Sequence, residues 1–433
     1  MGSHEFISGR VIVAAGLKSK CRNGGNKILI SRRRFMGIGG VVAGLGVGTM
    51  VEIARGKGRE FSGEVPAIRS YVELGRTGLK ISDISFGSSQ SSDPDLVRYA
   101  LDRGITYFDT AESYRFGASE VAIGAALRGV RDQIVLASKT KAAANARRTE
   151  IMTALEGSLR RLKTDYLDVY FNHAVNRVER MRNEEWWEFT ELAQRQGKIR
   201  YRGMSGHGSR LVDSLEYALE QDLVDVILVA YNFGQDPDFL GRIKQSLHFS
   251  DLQPGLPRML YKAKQKNVGV VAMKTLMGAR RNDMRRYEHD GVTFSQAAFG
   301  WVLSDPHVDG LIVSMTNKED IDEYVDASGG IGRTDSGIHL LERYMSLNGT
   351  NYCRHGCNIC ADVCPKGVEI AEVLRTRMYD VDYRNRNLAQ TDYAALGVGA
   401  SACVGCDSQP CRNSCPAGIP ISEWTRDAAA RFG

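Results

Sequence analysis

Eight of the nine cysteines fall in two runs, Cys353-x3-Cys357-x2-Cys360-x3-Cys364-Pro365 and Cys403-x2-Cys406-x4-Cys411-x3-Cys415-Pro416, leaving Cys21 alone. Thiols crowded in this way read as ligands, not as staples. A second set is dispersed: Asp109, Tyr114, Lys139 and His173 each sit at or just past the end of a short apolar run. Together they could deliver a proton to a carbonyl oxygen. A phenol is a poor acid at neutral pH, with an ordinary pKa of about 10. A buried ammonium beside it lowers that value, a carboxylate holds the ammonium, and an imidazole orients or polarises the substrate oxygen. Singly, each has a plain structural reading as a turn acceptor, surface aromatic, solvated lysine or core histidine. At consecutive strand ends the joint reading prevails.

The elements that must position these residues form a repeat. Short β-branched runs, Ile81–Phe86, Thr106–Asp109, Ile134–Ser138, Tyr166–Phe171, Tyr201–Ser205, Val224–Tyr231, Val268–Met273 and Gly310–Ser314, alternate with amphipathic segments such as Asp95–Arg103, Arg148–Leu162 and Phe294–Leu303. Eight βα units over about 250 residues are the rhythm of a (β/α)8 TIM barrel, whose chemistry sits at the C-terminal ends of its strands. No Gly-x-Gly-x-x-Gly turn follows the first strand, which argues against a dinucleotide-binding doubly wound sheet. The 433 residues are 43% hydrophobic and 25% charged, which excludes disorder and a small disulfide scaffold. The net charge of +6 is local, because eleven basic and three acidic residues precede position 61. A nucleic-acid partner is therefore not expected. Three domains follow: an N-terminal extension (1–60), the barrel (70–330) and a small, mainly helical cysteine domain (345–430).

The chain resembles the aldo-keto reductase family, in the branch with a C-terminal iron–sulfur domain. The likeness runs through Leu74-Gly75-Arg76-Thr77-Gly78-Leu79, Phe108-Asp109-Thr110-Ala111-Glu112-Ser113-Tyr114, Ala137-Ser138-Lys139, the strand ending in His173, Gly203-Met204-Ser205-Gly206-His207 and Val271-Ala272-Met273-Lys274. It implies that Tyr114 protonates a substrate carbonyl while a nicotinamide delivers hydride, with Asp109, Lys139 and His173 in support. Ser205, Asn232, Lys274, Ser314 and Asn317 occupy the positions that would contact the nicotinamide cofactor. The match there is weaker. Gly206 replaces an expected asparagine, Met273 and Lys274 stand where an aromatic would stack, and Glu319 and Asp320 follow Lys318 where a 2′-phosphate wants a cation. NADP and NAD both stay open, as does a phosphate held at the last helix's N-terminus.

The cysteine runs differ by one and two residues from the ferredoxin spacing, in which the cysteine before proline ligates the other cluster. Two [4Fe–4S] clusters are expected, one on Cys353, Cys357, Cys360 and Cys415, the other on Cys364, Cys403, Cys406 and Cys411. Two four-cysteine zinc sites are the alternative. Ser31-Arg32-Arg33-Arg34-Phe35-Met36, a Gly-rich apolar stretch and a polar run resemble a twin-arginine export signal, too short and glycine-rich for a convincing membrane helix. No clean cleavage site follows, so retention as a membrane anchor stays open. The expected partners are thus a small carbonyl or alcohol substrate, an external electron carrier and the export machinery, and the expected location is periplasmic. The function expected is an oxidoreductase interconverting a carbonyl and an alcohol, a sugar or polyol among the candidates, with electron relay through the clusters. The competing readings are a cytoplasmic NAD(P)H-dependent carbonyl reductase with structural clusters, and a non-catalytic electron-transfer partner. Phe233–Pro257 reads as a lid or pocket wall, and His207 as a structural loop residue.

Overall fold

A computed structural model describes residues 65–236, 255–278, 283–330 and 334–433. The twin-arginine segment, Cys21 and most of the expected lid lie outside the described residues. A hairpin of β1 (Tyr71–Glu73) and β2 (Lys80–Ser82) precedes eight parallel strands: β3 (Ile84–Gly87), β4 (Tyr107–Asp109), β5 (Val135–Thr140), β6 (Leu167–Asn172), β7 (Ile199–Gly206), β8 (Val226–Ala230), β9 (Gly269–Met273) and β10 (Gly310–Ser314). β10 pairs with β3 and closes the barrel. The eight-strand repeat expected from the sequence is therefore present. Its first strand is not the continuous Ile81–Phe86 run, because the chain breaks at buried Asp83. The Asp83 carboxylate accepts hydrogen bonds from the Ile84 amide (2.9 Å) and the Ser328 hydroxyl (2.7 Å), and this diverts Lys80–Ser82 into the hairpin.

Strand parity decides what points inward. Tyr107, Val135, Ala137, Val169, Phe171, Val226, Leu228 and Val271 fill the barrel interior together with Leu74 and Ile81. Their neighbours Phe108, Leu136, Tyr170, Ile227 and Ala272 pack outward against the helices. Side chains alternate with a period of two. Asp109 follows Tyr107, Lys139 follows Ala137 and His173 follows Phe171 on the same parity, so all three project into the mouth of the barrel.

Beyond the barrel, Ile370–Val381, Arg386–Ala394 and Ile421–Phe432 are helices packed on a core of their own, with Val368, Val373, Leu374, Ile419 and Ala428 at its centre. Among the described residues this region contains no strand, and no helix is long and apolar enough to cross a membrane. It lies over the C-terminal ends of the barrel strands. Gly356 donates its amide to Gly208 O (3.1 Å), the Ser209 amide and hydroxyl both donate to Glu372 Oε1 (2.8 Å each), and Lys141 pairs with Asp392 (3.1 Å).

One buried carboxylate ties the outer layer to the strand that carries Lys139. Glu120, fully buried in the helix Ala118–Ala126, accepts from the Ser138 hydroxyl and from Arg161 Nε, each at 2.6 Å. Glu120→Ala leaves both donors without an acceptor. It should lower the unfolding free energy by about 2 kcal/mol or more. An unchanged urea midpoint and slope would show that the contact is incidental.

Candidate active site

The four residues singled out at the strand ends are brought together. Lys139 and Asp109 are each 1% exposed and form an ion pair inside the barrel mouth, and the ammonium also donates to Thr110 O (2.7 Å). Burial disfavours both charges, and each is held by the other. Tyr114 opens a tight turn, Tyr114–Gly117, and its amide donates back to Ala111 O (3.0 Å). Lys139 Nζ lies 5.1 Å from the Tyr114 ring centroid, and the His173 ring meets that ring edge-on at 5.5 Å. Arg115 and Phe116 (φ 49° and 56°) both adopt left-handed backbone next to it, a conformation that non-glycine residues take at a cost.

One expectation needs correction. Lys139 was expected to lower the pKa of Tyr114, but burial and the nearby Asp109 charge hold the phenol above its ordinary range. The reason is geometric. The ammonium is spent on Asp109 and the Thr110 carbonyl, and it lies over the ring without a hydrogen bond to the phenol. Tyr114 is accordingly a protonated donor throughout neutral pH. Burial, then the Lys139 charge, keeps His173 well below the ordinary imidazole range, so the ring is neutral. Its Nδ1 is buried without a partner, as are Asp109 Oδ2 and Asn172 Nδ2. Asn172, which the sequence reading did not single out, thus offers a free buried amide donor beside His173.

The residues expected around a cofactor are more scattered. Buried Ser205 accepts from the Ala174 amide (3.0 Å). Asn232 caps the turn Phe233–Gln235 and donates to Lys274 O (3.1 Å). Asn317 caps the helix Lys318–Val325 by accepting from the Asp320 amide (2.7 Å), and Ser314 meets the Ser89 hydroxyl at 2.8 Å. Glu319 and Asp320 stand in the first turn of that helix. Ser205 lies on the inward register of its strand, and the helix after the last strand presents Glu319 and Asp320 in its first turn.

The outer wall comes from the helical region. Lys274 Nζ donates to the Tyr379 hydroxyl (3.3 Å), and Tyr379 lies near enough to Tyr114 to oppose its ionisation. His207 is a contact residue: its backbone carbonyl meets His355 Nδ1 at 2.7 Å. Further out, the cysteines gather in two sets. Cys353 and Cys360 feel Cys357 and Cys415, whereas Cys403 and Cys411 feel Cys364 and Cys406. Burial pushes the Cys353 thiol up to about 12. The second set lines one cavity of about 370 Å³. Among the described residues no three His, Cys, Asp or Glu side chains converge as closely as a single metal ion requires.

His173 and buried His207 bind fewer protons folded than unfolded, because burial lowers both pKa values. Stability should therefore fall as pH drops below about 6.5, by about 1.4 kcal/mol per pH unit for each histidine. Denaturation at pH 7.5 and 5.5 measures this. His207→Gln should flatten the dependence, and an unaltered dependence would contradict the burial of neutral imidazoles.

Comparison with known proteins agrees with the geometry. The model described as "Aldo/keto reductase family" matches residues 78–289. Aldo-keto reductase YhdN of Bacillus subtilis is 34% identical over 164 residues, which are 33% of this chain and 49% of that protein. The chain thus spans about half of that relative. L-glyceraldehyde 3-phosphate reductase of Escherichia coli is 24% identical over 64% of this chain and 92% of its own. Aldo-keto reductase AKR11C1 of Bacillus halodurans shares the fold, with a TM-score of 0.51 at 21% identity over 63% of this chain and 95% of its own. Each match leaves more than a third of this chain unpaired. A closed eight-stranded barrel with a buried Asp–Lys pair and a tyrosine and histidine at its mouth thus stands in the part of the chain that is similar to the aldo/keto reductase family, residues 78–289, and it shares that family's fold.

Proposed function

We propose that the chain interconverts a carbonyl and an alcohol at the barrel mouth. The observation that carries this reading is the convergence of protonated Tyr114, the Asp109–Lys139 pair and neutral His173 on one point. Tyr114 gives its proton to the substrate oxygen. Asp109 and Lys139 keep the adjacent field fixed, and His173 orients the oxygen that receives the proton. A nicotinamide, when bound, would supply the hydride; Ser205, on the inward register of its strand, would hold its carboxamide. The acids at Glu319 and Asp320 favour a cofactor without a 2′-phosphate. Sugars and polyols remain within the substrate class.

The same reading assigns two [4Fe–4S] clusters to the cysteines, one on Cys353, Cys357, Cys360 and Cys415, the other on Cys364, Cys403, Cys406 and Cys411. Two observations support it. The thiols group across the two runs as the trailing Cys-Pro pairing requires, and the second set lines a cavity. Such clusters supply one-electron transfer with an external carrier. Export of the folded, loaded protein through the twin-arginine segment is consistent with a cofactor inserted before transport.

Tyr114→Phe should cut kcat for reduction of a simple aldehyde by about 100-fold or more with little change in KM and an unaltered circular dichroism spectrum. Retained kcat would remove Tyr114 from the chemistry. Anaerobically purified protein should hold roughly eight irons. In Cys415→Ser, iron should fall toward four, with loss of the cluster assigned to Cys353, Cys357 and Cys360. Zinc in place of iron would overturn the cluster assignment.

A further inference from the structure

Between the barrel mouth and the helical region lies a cleft of about 610 Å³. Three cations line it, Lys274 from the barrel and Arg354 and Arg375 from the helical region, and no acidic side chain is among its described lining residues. Each cation is bonded to neutral groups or partly paired, and the two arginines also lie near the Cys353 thiol. Lys274 has the Tyr379 hydroxyl at 3.3 Å and that residue's ring at 5.3 Å, and the Asp392 carboxylate acts on it only through its field. Arg354 is 6% exposed; its Nη2 donates to Gly349 O (2.9 Å) and its Nη1 to Tyr352 O, while its buried Nε has no partner. Arg375 is buried and pairs with Glu372 through Nη1, and Glu372 is itself occupied by Ser209. Burial and the neighbouring Arg375 lower the Lys274 pKa to about 7. A cleft that holds cations this close together is completed by an anion, which restores the lysine charge and engages the open arginine donor. The remaining wall is mixed, with Met277, Leu374 and Met378 beside Asn232, Asn351 and Cys353.

Tyr379 joins this cleft to the chemistry, since it bonds Lys274 and lies within electrostatic reach of Tyr114. We propose that the cleft is an anion subsite for the substrate, so that the preferred carbonyl compound carries a carboxylate or phosphate separated from its carbonyl by a short apolar spacer. This rests on the carbonyl–alcohol reading of the barrel. It gives the helical region a role in specificity, because two of the three cations and the bridging tyrosine come from it.

The test uses the full-length protein and a probe pair, 4-carboxybenzaldehyde and its methyl ester. The ratio of kcat/KM for acid over ester should exceed one in the native protein. It should fall by about 10- to 100-fold in Lys274→Gln, the range of a charge-assisted hydrogen bond, and be largely rescued in Lys274→Arg. Direct calorimetric binding of terephthalate, which has no aldehyde, should weaken in parallel in Lys274→Gln. Equal ratios in native and variant proteins overturn the proposal. So does a Lys274→Gln protein that loses affinity for NADPH and for inorganic pyrophosphate while keeping its acid preference, since the cations then serve the cofactor. If neither aldehyde turns over but terephthalate binding depends on Lys274, the subsite stands and the carbonyl reading fails.

Discussion

The buried ion pair between Asp109 and Lys139 is the constraint from which the site follows. Neither charge could occupy the barrel mouth alone, because removing one partner from a buried pair costs about 3–5 kcal/mol. Both residues extend adjacent parallel strands, and the Tyr107–Val135 and Asp109–Ala137 register brings their ends side by side. The pair is held rigidly because β5 is anchored from outside by Glu120 through the Ser138 hydroxyl. Once the pair is fixed, the other properties follow. The lysine is too committed to acidify Tyr114, burial keeps the phenol protonated, and the lysine's charge helps keep His173 neutral.

The second organising feature is that the barrel mouth is covered by a region with a separate core. Backbone and side-chain contacts at Gly208–Gly356, Ser209–Glu372 and Lys274–Tyr379 fasten it to the loops after the fifth and seventh barrel strands. One contact runs through His355, between Cys353 and Cys357. The loops that carry the first cysteine set therefore also shape the wall of the substrate site. Replacing those thiols would therefore be felt at the pocket.

Much of this was legible in the chain. Short β-branched runs alternating with amphipathic segments located eight strands, and the positions of Asp109, Lys139 and His173 at consecutive strand ends pointed to one mouth. The proposed pairing of Cys415 with the first run and Cys364 with the second comes from the residue before proline, and Cys353 has Cys415, and Cys411 has Cys364, among its electrostatic neighbours. What was not legible depended on tertiary placement. The segment Glu369–Tyr379 reads only as a helix between cysteine runs, and nothing in it announces that Arg375 and Tyr379 would face the barrel. The direction of the Tyr114 shift required knowing that Thr110 O and Asp109 take the lysine's hydrogen bonds. Asn232 and Asn317, plausible cofactor contacts by position, are local caps, a role that asparagine fills equally well.

The central claim is direct hydride transfer to a carbonyl carbon beside Tyr114. It is tested most directly by anaerobic turnover of 4-carboxybenzaldehyde by the full-length protein with nicotinamide deuterated at C4 on the transferred face, followed by mass spectrometry of the alcohol. The account predicts one deuterium on the former carbonyl carbon of each product molecule. Alcohol formed without deuterium would contradict it, and would move the reducing electrons to a route that bypasses hydride transfer.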